Sequence, residues 1–252
     1  MKKENSTVLL IGGAGYVGSV VTQHLLEIGY CVRCFDNLVY KNQAAAESFL
    51  GYPNYNFIHG DLCDINAIEK ATEGVSHVVL LAGLVGDPIT KKYPDTSDKV
   101  NVYGVQKSFD ILRGKGIEKL IFISTCSNYG LMEEGVLANE ESTLTPLSLY
   151  AKAKVAAEEK LMSMKGQVDY CPTVLRFATA FGLSPRMRFD LTVNEFTREL
   201  AIGNELLVFD ADTWRPYCHV RDFSRLIAKV LEEDPDKVAF EVFNAGGDEN
   251  NF

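Results

Sequence analysis

The sequence predicts an α/β protein: a doubly wound parallel sheet with helices on both faces, followed by a small C-terminal lobe. Three observations predict it. Short continuous apolar runs, such as Val8 to Ile11 and Leu120 to Ile123, have the composition of strands buried on both faces. Between them fall amphipathic stretches of helical period, so strand and helix alternate along the chain. Directly after the first run come Gly12, Gly15 and Gly18, and the next strand ends in an acid, Asp36, eighteen residues beyond Gly18.

The first strand is Thr7 to Ile11, and Ser19 to Ile28 reads as a helix closed by Gly29. The intervening loop, with Tyr16 and Val17 between its glycines, permits a tight turn, close approach of backbone to a pyrophosphate, and close packing of helix on strand. The helix N-terminus then faces phosphate. The strand from Tyr30 ends at Asp36, whose carboxylate accepts bonds from ribose hydroxyls and repels a 2′-phosphate. Asp36 and Asn37 therefore favour NAD over NADP, and the fold is of Rossmann type. Strand Tyr55 to His59 leads into Asp61 and Leu62, where Asp61 either bonds the adenine amine or caps the helix Ile65 to Thr72. His77 to Leu81 is a fourth strand, and Ala82 and Gly83 let the backbone pass close to the cofactor. Asn101 opens a helix through Leu112, closed by Gly114 and Gly116. The fifth strand, Leu120 to Ser124, delivers Thr125 to the carboxyl edge where ligands of such sheets bind.

Tyr150 and Lys154 stand at i and i+4 in a run of strong helix formers, so both project from one face. Removing hydride from an alcohol needs a base for the hydroxyl proton, and an ordinary tyrosine, titrating near ~10, is a poor one at neutral pH. A neighbouring ammonium favours the phenolate. Thr125 or Ser124 supplies a hydroxyl for the substrate oxygen.

Composition narrows the alternatives. A formal net charge of −9 without a long basic cluster argues against a nucleic-acid or anionic-membrane surface. No apolar run reaches the roughly 18 residues of a membrane span, and no signal-peptide cleavage pattern follows the polar N-terminus, so a cytoplasmic protein is expected. The six cysteines are expected to be free, Cys31 and Cys34 pointing to opposite faces of a strand. The four histidines lack metal-ligand spacing, and no metal site is expected.

The ordered motifs resemble the extended short-chain dehydrogenase/reductase family, within it the nucleotide-sugar epimerases, dehydratases and dehydrogenases. The resemblance rests on the Gly12 to Gly18 loop, Asp36, Asp61 and Leu62, Leu81 to Gly83, Asn101, Ser124 to Gly130, Tyr150 and Lys154, Leu175 to Gly182, and Arg215 to Asp222. It implies NAD as cofactor, Tyr150 as base, Lys154 as its partner and ribose ligand, Thr125 as contact to the substrate hydroxyl, and the backbone of Phe177 and Ala178 beside the nicotinamide. Leu62, Leu81, Asn101 and Ser124 join the cofactor site on the same ground. A homodimer through the helices after Asn101 and Leu149 is expected by the same analogy. Members begin by oxidising a sugar C4 hydroxyl. The 4,6-dehydratases usually carry Asp and Glu just after the threonine; here Cys126 and Ser127 stand there, which favours a 4-epimerase, with a 4-dehydrogenase close behind and a 4,6-dehydratase losing support. A non-catalytic dinucleotide sensor is the alternative of another class.

Residues 1–170, with 171–182 and 217–245 returning to them, are expected to form the NAD-binding domain. Residues 183–216 and 246–252 are expected to form part of a lobe for the nucleotide sugar. Arg186 and Arg188 lie on a loop, Asn194 on a helix from Leu191 to Ile202, and Arg215 beside Trp214 and Tyr217. Arginine forks suit diphosphate oxygens, so Arg215, Arg186 and Asn194 join Cys126 and Ser127 as candidate substrate contacts. Asp222 is expected to cap the helix Phe223 to Glu232. The chain stops at Phe252, where relatives continue: either the product is naturally short or it is a fragment whose lobe is incomplete.

Overall fold

The computed structural model describes Lys3 and residues 6–133, 135–208 and 211–251, with the backbone alone at Asp87 and Asp248. Its strands are β1 (Thr7–Ile11), β2 (Cys31–Asp36), β3 (Tyr55–His59), β4 (His77–Leu80), β5 (Lys119–Thr125), β6 (Cys171–Phe177), β7 (Thr179–Phe181), β8 (Tyr217–His219) and β9 (Glu241–Ala245). Seven form one parallel sheet in the order β3-β2-β1-β4-β5-β6-β9, and β7 pairs with β8 in a second, two-stranded sheet. The order reverses between β1 and β4, and ligands of such sheets bind at the carboxyl ends beside that reversal.

Alternation along each strand divides the core. Val8 and Leu10 of β1, Val79 of β4 and Ile121 of β5 face one side, where α1 (Tyr16–Glu27) sets Val21 and Leu25 against them. Leu9, Ile11, Val78, Leu80, Leu120 and Phe122 face the other side. Buried side chains of this size each contribute roughly 1.5–3 kcal/mol, so the apolar runs fix strand register from both faces. After α1 come α2 (Gln43–Glu47), α3 (Ile65–Ala71), α4 (Asp87–Lys92), α5 (Pro94–Asp98), α6 (Val105–Ile111), α7 (Leu149–Ser163), α8 (Thr192–Ala201), α9 (Val220–Glu232) and α10 (Pro235–Val238). α3, α6 and α7 cover the second face with Ile68, Phe109 and Leu161; α9 joins α1 on the first with Phe223 and Ile227. Among the described residues no helix is long and apolar enough to cross a membrane.

Several boundaries differ from expectation. α1 begins at Tyr16 rather than Ser19 and carries Gly18 in its first turn, because there a Cβ would run into the Gly12 carbonyl oxygen. Asp64, not Asp61, caps α3 by accepting from the Ala67 N–H at 3.1 Å. Asn101 does not open its helix: it lies inside a π-helical turn, Lys99–Gly104, that joins α5 to α6. His219, not Asp222, caps α9, its Nδ1 accepting from the Arg221 N–H at 3.2 Å; Asp222 instead pairs with Arg225. The last strand residue of β4 is Leu80, since the N–H groups of Leu81 and Ala82 both turn to the Ile11 carbonyl, at 2.9 and 2.8 Å. None of the six cysteines forms a disulfide among the described residues.

Candidate active site

The loop between β1 and α1 forms a backbone cradle. Gly12 has φ of +91°, and a Cβ on it would lie 2.7 Å from the Ala82 N, so only glycine lets this loop pass the end of β4. Gly15 is the α1 N-cap with no side-chain cap, so the first-turn N–H groups keep no side-chain partner there. Val17 packs inward against both neighbouring core clusters. This donor set fits a dinucleotide pyrophosphate by the chemistry of helix N-termini.

The acid at the end of β2 flanks the cradle. Asp36 Oδ2 accepts from the Ala14 N–H at 3.1 Å and Oδ1 from the Leu38 N–H at 2.8 Å, which fixes the carboxylate beside the glycine loop. Asn37 donates to Asp61 Oδ2 at 3.2 Å, and the Cys63 N–H to Asp61 Oδ1 at 2.7 Å. Burial raises the Asp61 carboxyl, but these bonds and Lys99 outweigh it and hold it below the usual range. Leu62 is buried in the core beneath. Asn101 engages both polar atoms of its amide on other groups: it accepts from the Leu84 N–H at 2.8 Å and donates to the Leu84 carbonyl at 2.9 Å and Ser97 Oγ at 3.1 Å. It pins the Gly83–Leu84 turn, and a Cβ on Gly83 would lie 2.9 Å from its Oδ1. Its role toward a cofactor is therefore to shape that turn.

At the carboxyl end of β5, Thr125 Oγ1 caps a 3-10 turn, Cys126–Tyr129, by accepting from the Ser127 N–H at 3.2 Å. Tyr150 and Lys154 stand on α7, capped by Ser148. Lys154 is buried, and its Nζ donates to the Ile123 carbonyl at 2.7 Å; it lies 5.8 Å from the Tyr150 ring centroid. Desolvation pushes the Tyr150 phenol up to about 12, opposed by Arg188, and pushes Lys154 down to about 8, opposed by Glu158. The spacing led us to expect a phenol already lowered by its lysine. Instead the lysine bonds a strand carbonyl and burial dominates both groups. Cys126 is half-buried beside Tyr150, its thiol raised by burial against the opposing pull of Arg215. Arg215 therefore lies near enough to Cys126 to act on its thiol.

Ser124 does not face the site. It is buried and donates to Glu158 Oε1, which also accepts from Asn128 Nδ2 at 2.7 Å. Glu158 pairs with Arg176 of β6 through Nη2 at 2.7 Å and Nε at 3.1 Å, and Arg176 Nη1 donates to the Tyr129 hydroxyl at 2.9 Å. The sequence reading missed this network. Its signal was Arg176 in an otherwise apolar strand, a charge that requires a buried carboxylate, and Glu158 one turn beyond Lys154. Phe177 stacks on Phe223 with centroids 3.7 Å apart, and the Ala178 N–H donates to the Ala245 carbonyl at 2.9 Å, so both leave only backbone near the sheet edge.

The segment after β7 returns to the cradle. Tyr16 donates its hydroxyl to the Gly182 carbonyl at 2.7 Å, and Ser184 donates to the Tyr16 carbonyl at 2.7 Å. Asn194 of α8 accepts from the Gly182 N–H at 2.9 Å and donates to Tyr16 Oη and the Arg188 carbonyl, both at 3.0 Å. Asn194, expected to touch substrate, is buried and engaged here as a clasp. Arg188 is paired to Asp190 by two bonds. Arg186, also expected at the substrate, sits 4.8 Å over the Tyr40 ring, on the Asp36 side.

The chain is similar to several known proteins. UDP-glucose 4-epimerase of Cyamopsis tetragonoloba is 28% identical over 96% of this chain and 76% of its own length. A putative UDP-arabinose 4-epimerase of Arabidopsis thaliana is 31% identical over 95% of this chain, which spans 60% of that relative, less than two thirds of it. Among solved structures, dTDP-glucose 4,6-dehydratase of Streptomyces venezuelae, crystallised with NAD, superposes with a TM-score of 0.85 at 26% identity, over 96% of this chain and 76% of its own. Residues 8–246 match the description of one family, and the protein belongs to the NAD dependent epimerase/dehydratase family.

Proposed function

We propose that this chain oxidises C4 of a nucleotide-activated sugar with NAD and completes a 4-epimerisation. The observation that carries this reading is Thr125 and Cys126 at the end of β5, with the helix that bears Tyr150 anchored to the same strand by the bond from Lys154 to the Ile123 carbonyl. The glycine cradle and Asp36 would hold NAD, which when bound supplies hydride acceptance and return. Tyr150 Oη takes the proton of the C4 hydroxyl and later gives it back, while Thr125 Oγ1 bonds the C4 oxygen. For this the phenol must ionise from about 12, and cations assist: Arg188 already draws it down, and a protonated Lys154 adds to that. Arg215 is suited to the substrate diphosphate. Cys126, held protonated by burial, is a poor acid-base partner for expelling water from C5 and C6, which supports epimerisation over dehydration. A homodimer in the cytoplasm is part of the same proposal.

The test is a mass and 340 nm absorbance trace of the chain with NAD and a panel of UDP-, GDP-, CDP- and dTDP-sugars. A new isomer of unchanged mass without lasting NADH is expected. Tyr150→Phe is expected to lower turnover by about 10²–10⁴-fold while leaving NAD bound. A product that has lost water would overturn the reading of Cys126 and Ser127.

A further inference from the structure

The strap from Gly182 to Asp190 crosses the N-terminal end of α1. It is held there by Tyr16, Asn194 and Ser184, the last also 2.9 Å from Ser19 Oγ, and by Met187, which packs with Tyr16 and Val20. A helix N-terminus that receives a pyrophosphate therefore has the strap as its opposite wall. The strap carries two guanidinium groups with different fates. Arg188 is neutralised by Asp190. Arg186 is half-buried with its guanidinium carbon 4.8 Å from the Tyr40 ring centroid; its backbone N–H donates to Ser184 Oγ at 3.2 Å, and its guanidinium makes no hydrogen bond or ion pair among the described residues.

We propose that Arg186 is a cofactor-binding residue supplied by the C-terminal lobe, closing over the adenosine-ribose and phosphate end of the dinucleotide groove. Tyr40 follows β2 by a few residues, so its ring brings the guanidinium to the Asp36 end of the groove rather than to the Tyr150 end. Burial and then Arg188 lower the basicity of Arg186; Tyr40, Asp190 and, least, Asp36 oppose them, yet the Asp36 oxygens accept from Ala14 and Leu38 N–H groups and form no ion pair with it. A carboxylate at the end of β2 and a guanidinium without an ion pair, held by the loop that follows, suit a ligand with hydroxyl donors for the first and oxygen acceptors for the second. A ribose bearing phosphate is that ligand. A half-buried guanidinium without partners has lost hydration for no bond, and a planar five-donor fork regains it on phosphate or ribose oxygens. The lobe would then help set affinity for the cofactor as well as hold the sugar.

This inference rests on reading the glycine cradle as a dinucleotide site, and the experiment separates the two. Titration calorimetry would follow NAD, ADP-ribose and UDP binding to the whole chain, to Arg186→Ala and to Arg186→Lys, with thermal melts of each unliganded protein as a folding check. The expected result is loss of NAD and ADP-ribose affinity by about 10- to 100-fold in Arg186→Ala, as for a lost hydrogen bond to a charged group. Arg186→Lys should recover part of it, and UDP binding should be unchanged. Equal NAD affinity in both variants and the parent would overturn the inference and leave the cofactor reading intact. Weakened UDP with unchanged ADP-ribose would make Arg186 a substrate contact. A parent chain that binds neither NAD nor ADP-ribose would overturn both.

Discussion

The two helices that meet at the nucleotide groove, α1 and α8, are held by different physics. α1 buries Tyr16, Val20, Val21, Leu25 and Leu26 against the sheet and α9. α8 buries Asn194 alone, while Leu200 and the following Ile202 remain 62% and 64% exposed. Burial of apolar surface positions the first helix, a non-directional force that needs a sheet beneath it. A few directed hydrogen bonds to Tyr16 and Gly182 position the second. The sheet half should thus resist single changes outside its core, whereas the lobe depends on individual polar contacts.

The largest expected effect lies in the sheet half. Glu158→Ala leaves Arg176 buried without its carboxylate and is expected to cost about 3–5 kcal/mol of unfolding free energy, read from urea titration. Glu158→Gln should cost less. A loss below about 1 kcal/mol would mean that the network adds little beyond the apolar core.

A second effect is pH-dependent. His77, at the start of β4, is buried with Nδ1 lacking a hydrogen-bond partner, and burial, with Lys119 adding to it, brings the imidazole down from 6.5 to about 4. Below pH 6.5 the unfolded chain takes up a proton that the folded chain refuses, so the stability is complete above 6.5 and falls as pH drops toward 4. The loss should approach about 3 kcal/mol and be flattened in His77→Gln, as urea midpoints across that pH range would record. An unchanged slope in the variant would assign the acid sensitivity to carboxylates.

The smallest effect belongs to the lobe. Asn194→Ala should cost about 1 kcal/mol for lost hydrogen bonds and speed amide exchange in α8 and the strap, leaving β1 and β5 protected. Equal acceleration in the sheet would break the distinction between the two halves.

The legible part of the sequence was the part governed by apolar period and glycine. β1 and β3 fall where the apolar runs and turn residues put them, and Asp36 ends β2 as its spacing required. Cap positions were less legible, because Asp61 and Asp64 are equal candidates in composition. Only the backbone path after β3 turns Asp64 to the free N–H of α3. Asn101 was misread as a helix start because a π-turn leaves no periodic mark in six residues. At the site, the sequence supplied the identities of Thr125, Tyr150 and Lys154 but not their burial, and burial decides the protonation of the last two. Arg186 and Asn194 were expected at the sugar by residue type alone; their partners, Tyr40 and Tyr16, are about 150 or more residues distant and invisible to local pattern.

The bond from the Tyr129 hydroxyl to Asn244 Oδ1, 2.7 Å, joins the turn after β5 to β9, and the Asn244 N–H donates to Glu140 at 2.6 Å. Biosynthesis gives that bond a direction in time. As the chain leaves the ribosome N-terminal end first, the glycine cradle has every one of its strand neighbours more than a hundred residues before Asn244 is made. The turn that carries Thr125 can acquire its bond to β9 only when that strand has been made, so every residue of the nucleotide cradle and its neighbouring strands is present in the nascent chain before the last support of this turn.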